Sequence, residues 1–325
     1  MRAVVAGEFG GPEVLVPAEV AEPEPDRGQV LVSVAAADVL FLDARLRLQG
    51  GGAYFDVVPP YVPGGGVAGQ VTGVGEGVAS SWLGRRVAAR TGVSGGYAEL
   101  AVADVAQVVP IPEGLAIDQA AALIHDGLTA FSLIAAAPIT AGSRVLVTAA
   151  AGGMGLLLVQ LARQAGADVA GAARGGRKLE AVRKQGADVA VDYSAADWTD
   201  QLLAAWSGDR PEVVFDGAGG RIGLAAFEVT APGGWFSAHG APGEGFSFAP
   251  IDPQAARRRD VSLRGIRDVQ VTPPEARRLL DRVLAAAVAG TLTPVIGQTF
   301  PLSSAAQAHA GLEDRSSLGK TLLLP

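Results

Sequence analysis

Arg144-Val-Leu-Val-Thr148-Ala-Ala-Ala-Gly152-Gly153-Met154-Gly155 runs directly into Leu156-Leu-Leu-Val-Gln-Leu-Ala162. A β-branched apolar run enters a glycine-rich turn, and an apolar helix-forming run leaves it. The spacing Ala150-x-Gly152-x-x-Gly155 fits the dinucleotide fingerprint with alanine at its first position. Gly152 lets the backbone come close to a pyrophosphate, and Gly155 lets the helix pack on the strand. The free N–H groups at the helix start, around Gly153 and Met154, face phosphate oxygens. A bare glycine triplet would be compatible with a plain strand-to-helix turn. Here the strand before and the helix after are both present, so the turn reads as a dinucleotide site.

The same alternation continues downstream. Strand-like runs at 144–148, 168–172, 189–191, 213–216, 235–238 and 262–265 alternate with helical runs at 154–165, 178–185, 195–206, 222–230 and 274–289. Such βαβ units imply an α/β Rossmann domain, a doubly wound parallel sheet with helices on both faces. An Ala/Leu-rich stretch at 118–136 predicts one helix ahead of it. The first 120 residues have another texture, with short β runs at 2–5, 29–34, 68–74, 86–89 and 97–102 between Gly and Pro clusters. They predict a β-rich, barrel-like domain. After Gly290 the chain returns to short strands with a helix at 303–312, which completes that first domain. The expected division is 1–120 with 266–325, and 121–265.

The nucleotide is chosen at the end of the second Rossmann strand. An NAD site places Asp or Glu there for the ribose 2′-hydroxyl. This chain has Val169-Ala-Gly171-Ala-Ala173, followed by Arg174, Arg177 and Lys178. Guanidinium groups suit a 2′-phosphate. Read instead as solvated charges, they would sit poorly with the dipole of the helix they begin. NADPH is therefore the expected cofactor.

Composition narrows the function. The 325 residues carry a formal net charge of −7, which argues against nucleic acid or an anionic membrane as partner. The chain has no cysteine, which excludes disulfides, thiol chemistry and thiolate zinc sites. Its three histidines, His125, His239 and His309, are far apart, so no metal site is expected. The opening apolar run meets Glu8 too soon for a signal peptide, and no stretch approaches the ~20 apolar residues of a membrane span. A cytoplasmic protein is the expectation.

Several stretches, taken in order, resemble the zinc-independent quinone oxidoreductases of the medium-chain dehydrogenase/reductase superfamily. They are Met1-Arg-Ala-Val-Val with Phe9-Gly-Gly-Pro-Glu-Val14, Pro63-Gly64 with Ala68-Gly69, Gly95-Gly-Tyr-Ala-Glu99 and Gly127-Leu-Thr-Ala130. The Ala150–Gly155 turn, Asp216-Gly-Ala-Gly-Gly220 and Gly319-Lys320 complete the set. The resemblance implies a GroES-like catalytic domain built from both chain ends, an inserted Rossmann domain and a homodimer. It also implies hydride transfer from NADPH to a small-molecule quinone or α,β-unsaturated carbonyl. An enoyl-thioester or enone reductase of a biosynthetic pathway, and a non-catalytic NADPH-binding protein, are the alternative readings. The chain departs from the family around the substrate pocket. Gly66 stands where Glu is usual and Leu40 where Asn, Ser or Cys is usual; Asp126 replaces a frequent Asn, and His125 an apolar residue.

A reduced acceptor gains negative charge on oxygen, and one donor near that oxygen stabilises the transition state by about 3 kcal/mol. Tyr54 is the first candidate, matching a loop Tyr that lines the family's substrate cleft; the alternative is a packing aromatic. His125 is the second, because an imidazole titrates near ~6.5 and can donate a proton at neutral pH. Asp126 is either a ligand of the nicotinamide ribose or carboxamide or a plain helix carboxylate. Thr129 and Gly217 match cofactor-contacting stretches of the family. His239 follows a strand at its carboxyl end, where open α/β sheets bind ligands. Lys320 either approaches the cofactor or closes a strand. Asp43 and Arg47 have i, i+4 spacing and are expected to pair with each other. His309 is expected at the surface of the last helix. Arg257-Arg-Arg259 is a solvated loop or a phosphate neighbour.

Overall fold

A computed structural model describes residues 1–52, 55–240 and 251–325. The chain divides into two compact units, Met1–Leu128 with Val271–Pro325, and Thr129–Gln270.

The first unit is a β-rich body. Its seven-stranded sheet runs in the order Ile296–Pro301, Lys320–Leu324, Gln29–Val39, Gly66–Val74, Arg86–Arg90 and Val108–Pro110, with Leu100–Asp104 pairing Gln29–Val39 off that path. Both chain ends therefore build one sheet. A separate hairpin pairs Arg2–Ala6 with Leu15–Glu19. The core gathers Val30, Val32, Val34, Val67, Val71 and Val87 from alternating strand positions. That period-two alternation places β-branched residues on one face. Gln29–Val39 is longer than expected, because Ala36–Asp38 keep pairing with strands on either side. In particular Leu322 lies opposite Asp38, and Gly66 falls one step beyond the Ala37–Val67 pair.

The single helix expected over 118–136 is two helices, Ile117–Leu123 and Asp126–Ala136, bent by 45°. The break falls at Ile124-His125, and it sets His125 apart from either helix. Periodicity alone did not mark the break, because both halves are equally apolar.

The second unit carries a six-stranded, all-parallel sheet in the order Val189–Asp192, Asp168–Ala173, Arg144–Thr148, Val213–Asp216, Trp235–Ala238, Ser262–Gly265. The strand order reverses beside Arg144–Thr148, the switch point at which such sheets bind ligands. The helix Gly153–Gln164 packs there, with Leu156, Leu157, Leu158 and Val159 fully buried. Each such side chain contributes roughly 2 kcal/mol. Among the described residues no single helix is long and apolar enough to cross a membrane.

Candidate functional site

The glycine turn is tied to its own sheet. Ala149 adopts a left-handed φ of 49°, the Gly152 N–H donates to the Ala149 carbonyl at 3.0 Å, and the Ala150 N–H reaches the Ala172 carbonyl at 3.1 Å. Gly155 is required by packing: a Cβ there would lie 2.5 Å from the Ala149 oxygen. Gly171, on the second strand, is required likewise, since its Cβ would lie 2.3 Å from Val182 Cγ1. Gly152 differs. A Cβ there would meet only the Ala149 oxygen, at 3.4 Å, which is ordinary contact. The protein's own packing does not demand this glycine. No side chain caps the following helix, so the N–H groups of Gly153, Met154 and Gly155 lack intrahelical acceptors. An uncapped helix start beside an uncrowded glycine fits a pyrophosphate.

Gly217 and His239 lie beside this strand. A Cβ on Gly217 would come 3.2 Å from His239 Nε2 and 3.3 Å from the Thr148 carbonyl. Thr148 Oγ1 donates to Asp216 Oδ1 at 2.5 Å and accepts from the Gly217 and Ala218 N–H groups at 3.1 Å each. Asp216 Oδ2, Ser237 Oγ and His239 Nδ1 are buried without partners among the described residues. Burial pushes His239 down to about 4, so it is neutral at pH 7. Unpaired polar atoms at the ends of two adjacent strands are costly unless a ligand meets them. These donors and acceptors fit a dinucleotide.

Arg174 and Arg177 are exposed, on either side of the start of Gly176–Lys184, and Lys178 is partly covered. Asp192, whose carboxyl feels the Arg174 charge, is already engaged. It accepts from the Gly175 N–H at 2.9 Å and from the Ser194 N–H and Oγ at 2.9 and 2.6 Å. Burial works to raise Asp192, but the Ser194 and Gly175 hydrogen bonds and the Arg174 charge outweigh it and hold the carboxyl below its usual range. Thr129 lies in the first turn of Asp126–Ala136, partly covered.

A second cluster is built in the first unit. His125 Nδ1 lies 2.8 Å from Asp38 Oδ2, and Lys320 Nζ lies 3.5 Å from Asp38 Oδ2 and 3.4 Å from Asp126 Oδ2. Lys320, more than 190 residues from His125 and Asp126 in sequence, thus joins them: it meets His125 through Asp38 and Asp126 directly. Asp38 escaped the sequence reading. Its signal was a lone charge in the apolar run Val34-Ala-Ala-Ala-Asp38-Val39. Burial raises Asp38, but the His125 and Lys320 charges dominate and hold it below the carboxylate range. Burial works against the Lys320 ammonium too, and Asp126 and Asp38 more than restore it. Asp126 itself is raised by burial, which Lys320 only partly offsets. Tyr54 lies outside the described residues.

Three expectations are corrected. Asp43 and Arg47 do not pair with each other: Asp43 accepts from the Leu40 N–H and the Tyr97 hydroxyl, both at 2.9 Å, while Arg47 pairs with Glu313. Helical spacing permits a pair, but a buried guanidinium takes whichever carboxylate the core brings. His309 is fully buried, not at the surface, with Nε2 3.0 Å from the Tyr97 hydroxyl. Arg257–Arg259 is not one solvated loop: Arg257 and Arg258 close the helix Pro253–Arg258, and Arg259 donates to the Phe227 carbonyl at 2.8 Å. That bond satisfies a carbonyl at the end of the helix Gly220–Val229.

Comparison with known proteins agrees with this layout. Residues 26–113 match the alcohol dehydrogenase GroES-like domain, and residues 153–284 match the zinc-binding dehydrogenase family. The chain has no cysteine, and among the described residues no group of His, Asp and Glu could hold a metal ion. Quinone oxidoreductase of Rattus norvegicus is 33% identical over 328 residues, covering 100% of this chain and 98% of that one. The 2-haloacrylate reductase of a Burkholderia species is 30% identical, covering 100% and 99%. A mycobacterial protein solved in complex with NADPH superposes with a TM-score of 0.91 at 30% identity, covering 100% of both chains.

Proposed function

The chain belongs to the quinone oxidoreductase family of the medium-chain dehydrogenase/reductase superfamily, whose members are NAD(P)H-dependent reductases, and from that premise we propose that its donor is NADPH and its acceptor a quinone or another conjugated carbonyl. The observation that carries the cofactor is the glycine turn. Gly152 is uncrowded by protein, the helix start is uncapped, and the second strand ends in Arg174 where an NAD site keeps an acid. Gly152, Gly153, Met154 and Gly155 would hold the pyrophosphate, with Ala150 setting the turn. Arg174, Arg177 and Lys178 would hold the 2′-phosphate. Thr129, Gly217, neutral His239 and Lys320 are proposed as further cofactor contacts, His239 as a hydrogen-bonding group without charge.

Bound NADPH supplies a hydride with its electron pair. The protein orients the acceptor, excludes water and stabilises the charge that grows on the acceptor oxygen. His125 and Asp126 are proposed to serve that oxygen. Membership of an enzyme family displaces the reading of a non-catalytic binding protein. The full-length likeness to a 2-haloacrylate reductase favours an enone-type acceptor as the second reading, because a haloacrylate is an α,β-unsaturated acid.

The test is a titration with NADPH and NADH, followed by nicotinamide fluorescence, and then a panel of 1,4-quinones, enones and enoyl thioesters. NADPH should bind more tightly, and Arg174→Ala should weaken NADPH by about tenfold or more while leaving NADH nearly unchanged, given ~1.5–3 kcal/mol for a hydrogen bond to a charged group. Equal loss for both nucleotides would remove Arg174 from the 2′-phosphate. No binding of either would end the dinucleotide reading.

A further inference from the structure

Asp38 occupies an unusual place. Its side chain has no exposed surface, its Oδ1 has no partner among the described residues, and its Oδ2 serves both His125 and Lys320. Sheet register explains how it meets them. Leu322 lies opposite Asp38, so Lys320, two residues along, shares its face. On the other side Gly66 adjoins Asp38 and pairs in turn with Arg90. The glycine matters. A Cβ at position 66 would stand 2.7 Å from Asp38 Oδ1 and 2.9 and 3.0 Å from His125 Cε1 and Nδ1. Any side chain there must displace one partner of the pair.

We propose that His125 donates the proton that completes acceptor reduction, and that Asp38 is its positioning residue, an arrangement that position 66 permits only as glycine. The proposal rests on the reductase reading above. An ionised carboxylate only accepts, so Nδ1 carries the hydrogen shared with Asp38. Nε2 then has no partner among the described residues, and the His125 side chain keeps 20% of its surface exposed while Asp38 keeps none. A conjugated carbonyl takes up a hydride, and its π electrons shift to oxygen as an enolate or a hydroquinone anion. The Nε2–H bond of the imidazolium breaks, its electron pair stays on the ring, and the proton forms an O–H bond. Water then returns a proton to Nε2. The charges around the ring come from every packed element: Asp38 and Lys320 from neighbouring strands, Asp126 from the following helix, and Asp43 and Arg90 beyond them.

The experiment combines two readouts on the intact chain. First, ¹⁵N NMR of the imidazoles in the protein without nucleotide, with His125→Gln as the assignment control. Neutral His125 should be the Nδ1–H tautomer, and both Asp38→Asn and Gly66→Ala should mix the tautomers. Second, turnover of 1,4-naphthoquinone and of an enone with NADPH across pH. His125→Ala should lower kcat about 100-fold, the lower end for a general acid, and added imidazole should restore much of it. Asp38→Asn and Gly66→Ala should lower kcat with little change in KM. The Gly66→Ala chain keeps both partners, so it tests their contact even if a core substitution at 38 impairs folding. Full kcat in folded His125→Ala, or no rescue by imidazole, overturns the proposal alone. A wild-type chain that neither binds NADPH nor reduces any acceptor overturns the parent reading, and this one with it.

Discussion

Arg47 carries a guanidinium into the core of the first unit. Its side chain has no exposed surface, Glu313 is its counter-charge, and its Nε and Nη1 have no partner among the described residues. Burial lowers the affinity of Arg47 for its proton, and Glu313 works to restore it. Removing Glu313 leaves the buried guanidinium uncompensated, but the Glu313 side chain keeps 32% of its surface exposed, so solvent screens the pair. Glu313→Ala should therefore destabilise the protein by about 1–2 kcal/mol in urea titration, and the double variant with Arg47→Met should recover most of it. Equal stability of the single variant and the wild type would mean that Glu313 does little for Arg47. Arg47 and Asp43 were visible in the sequence as a spaced pair. Their real partners, 266 residues away for Arg47 and 54 for Asp43, were not, because spacing along one helix carries no information about a second element.

At the scale of the element, the strand–turn–helix from Arg144 to Gln164 separates glycines that packing demands from a glycine that packing does not. Gly155 faces backbone at 2.5 Å, while Gly152 faces only one oxygen at 3.4 Å. Gly155→Ala should cost roughly 1–3 kcal/mol through overpacking. Gly152→Ala should melt within about 2 °C of wild type, since it costs under ~0.5 kcal/mol. It should nevertheless lose NADPH affinity, measured by nicotinamide fluorescence. Unchanged affinity in a folded Gly152→Ala chain would place the pyrophosphate elsewhere. This element was legible residue by residue, because its signal is local: strand, turn and helix follow one another within 21 residues. The helix break at Ile124-His125 was not legible, since both halves are apolar and no proline marks it.

Across the whole molecule, buried titratable groups set how stability responds to acid. Burial pushes His239 to about 4, and pushes His309 to about 3, with the Arg47 charge adding to it. For both, the unfolded chain binds protons first as pH falls below ~6.5, so their contribution is present at neutral pH and lost on acidification. Asp43 acts oppositely. Burial raises it to about 6, so the folded state binds its proton first and stability from Asp43 falls as pH rises from ~4 towards 6. Each histidine is worth on the order of 3–5 kcal/mol and Asp43 about 3 kcal/mol, so the histidines prevail. The urea midpoint should fall between pH 7 and pH 4. His309→Gln, whose amide can still donate to the Tyr97 oxygen, should flatten that fall. A midpoint that rises on acidification would contradict the assignment.

The sequence by itself determined the two architectures and the strand–glycine turn–helix at Arg144–Gln164. Alternating apolar periods and glycine spacing act over one or two elements, and the chemistry they encode is local. Only the tertiary structure decided the charged cluster. Asp38, Gly66, His125, Asp126 and Lys320 come from three paired strands and a bent helix pair, and the identity of each partner depends on register. A burial that is costly for one carboxylate becomes tolerable only when its neighbours are an imidazole and an ammonium, and no stretch of sequence contains all three.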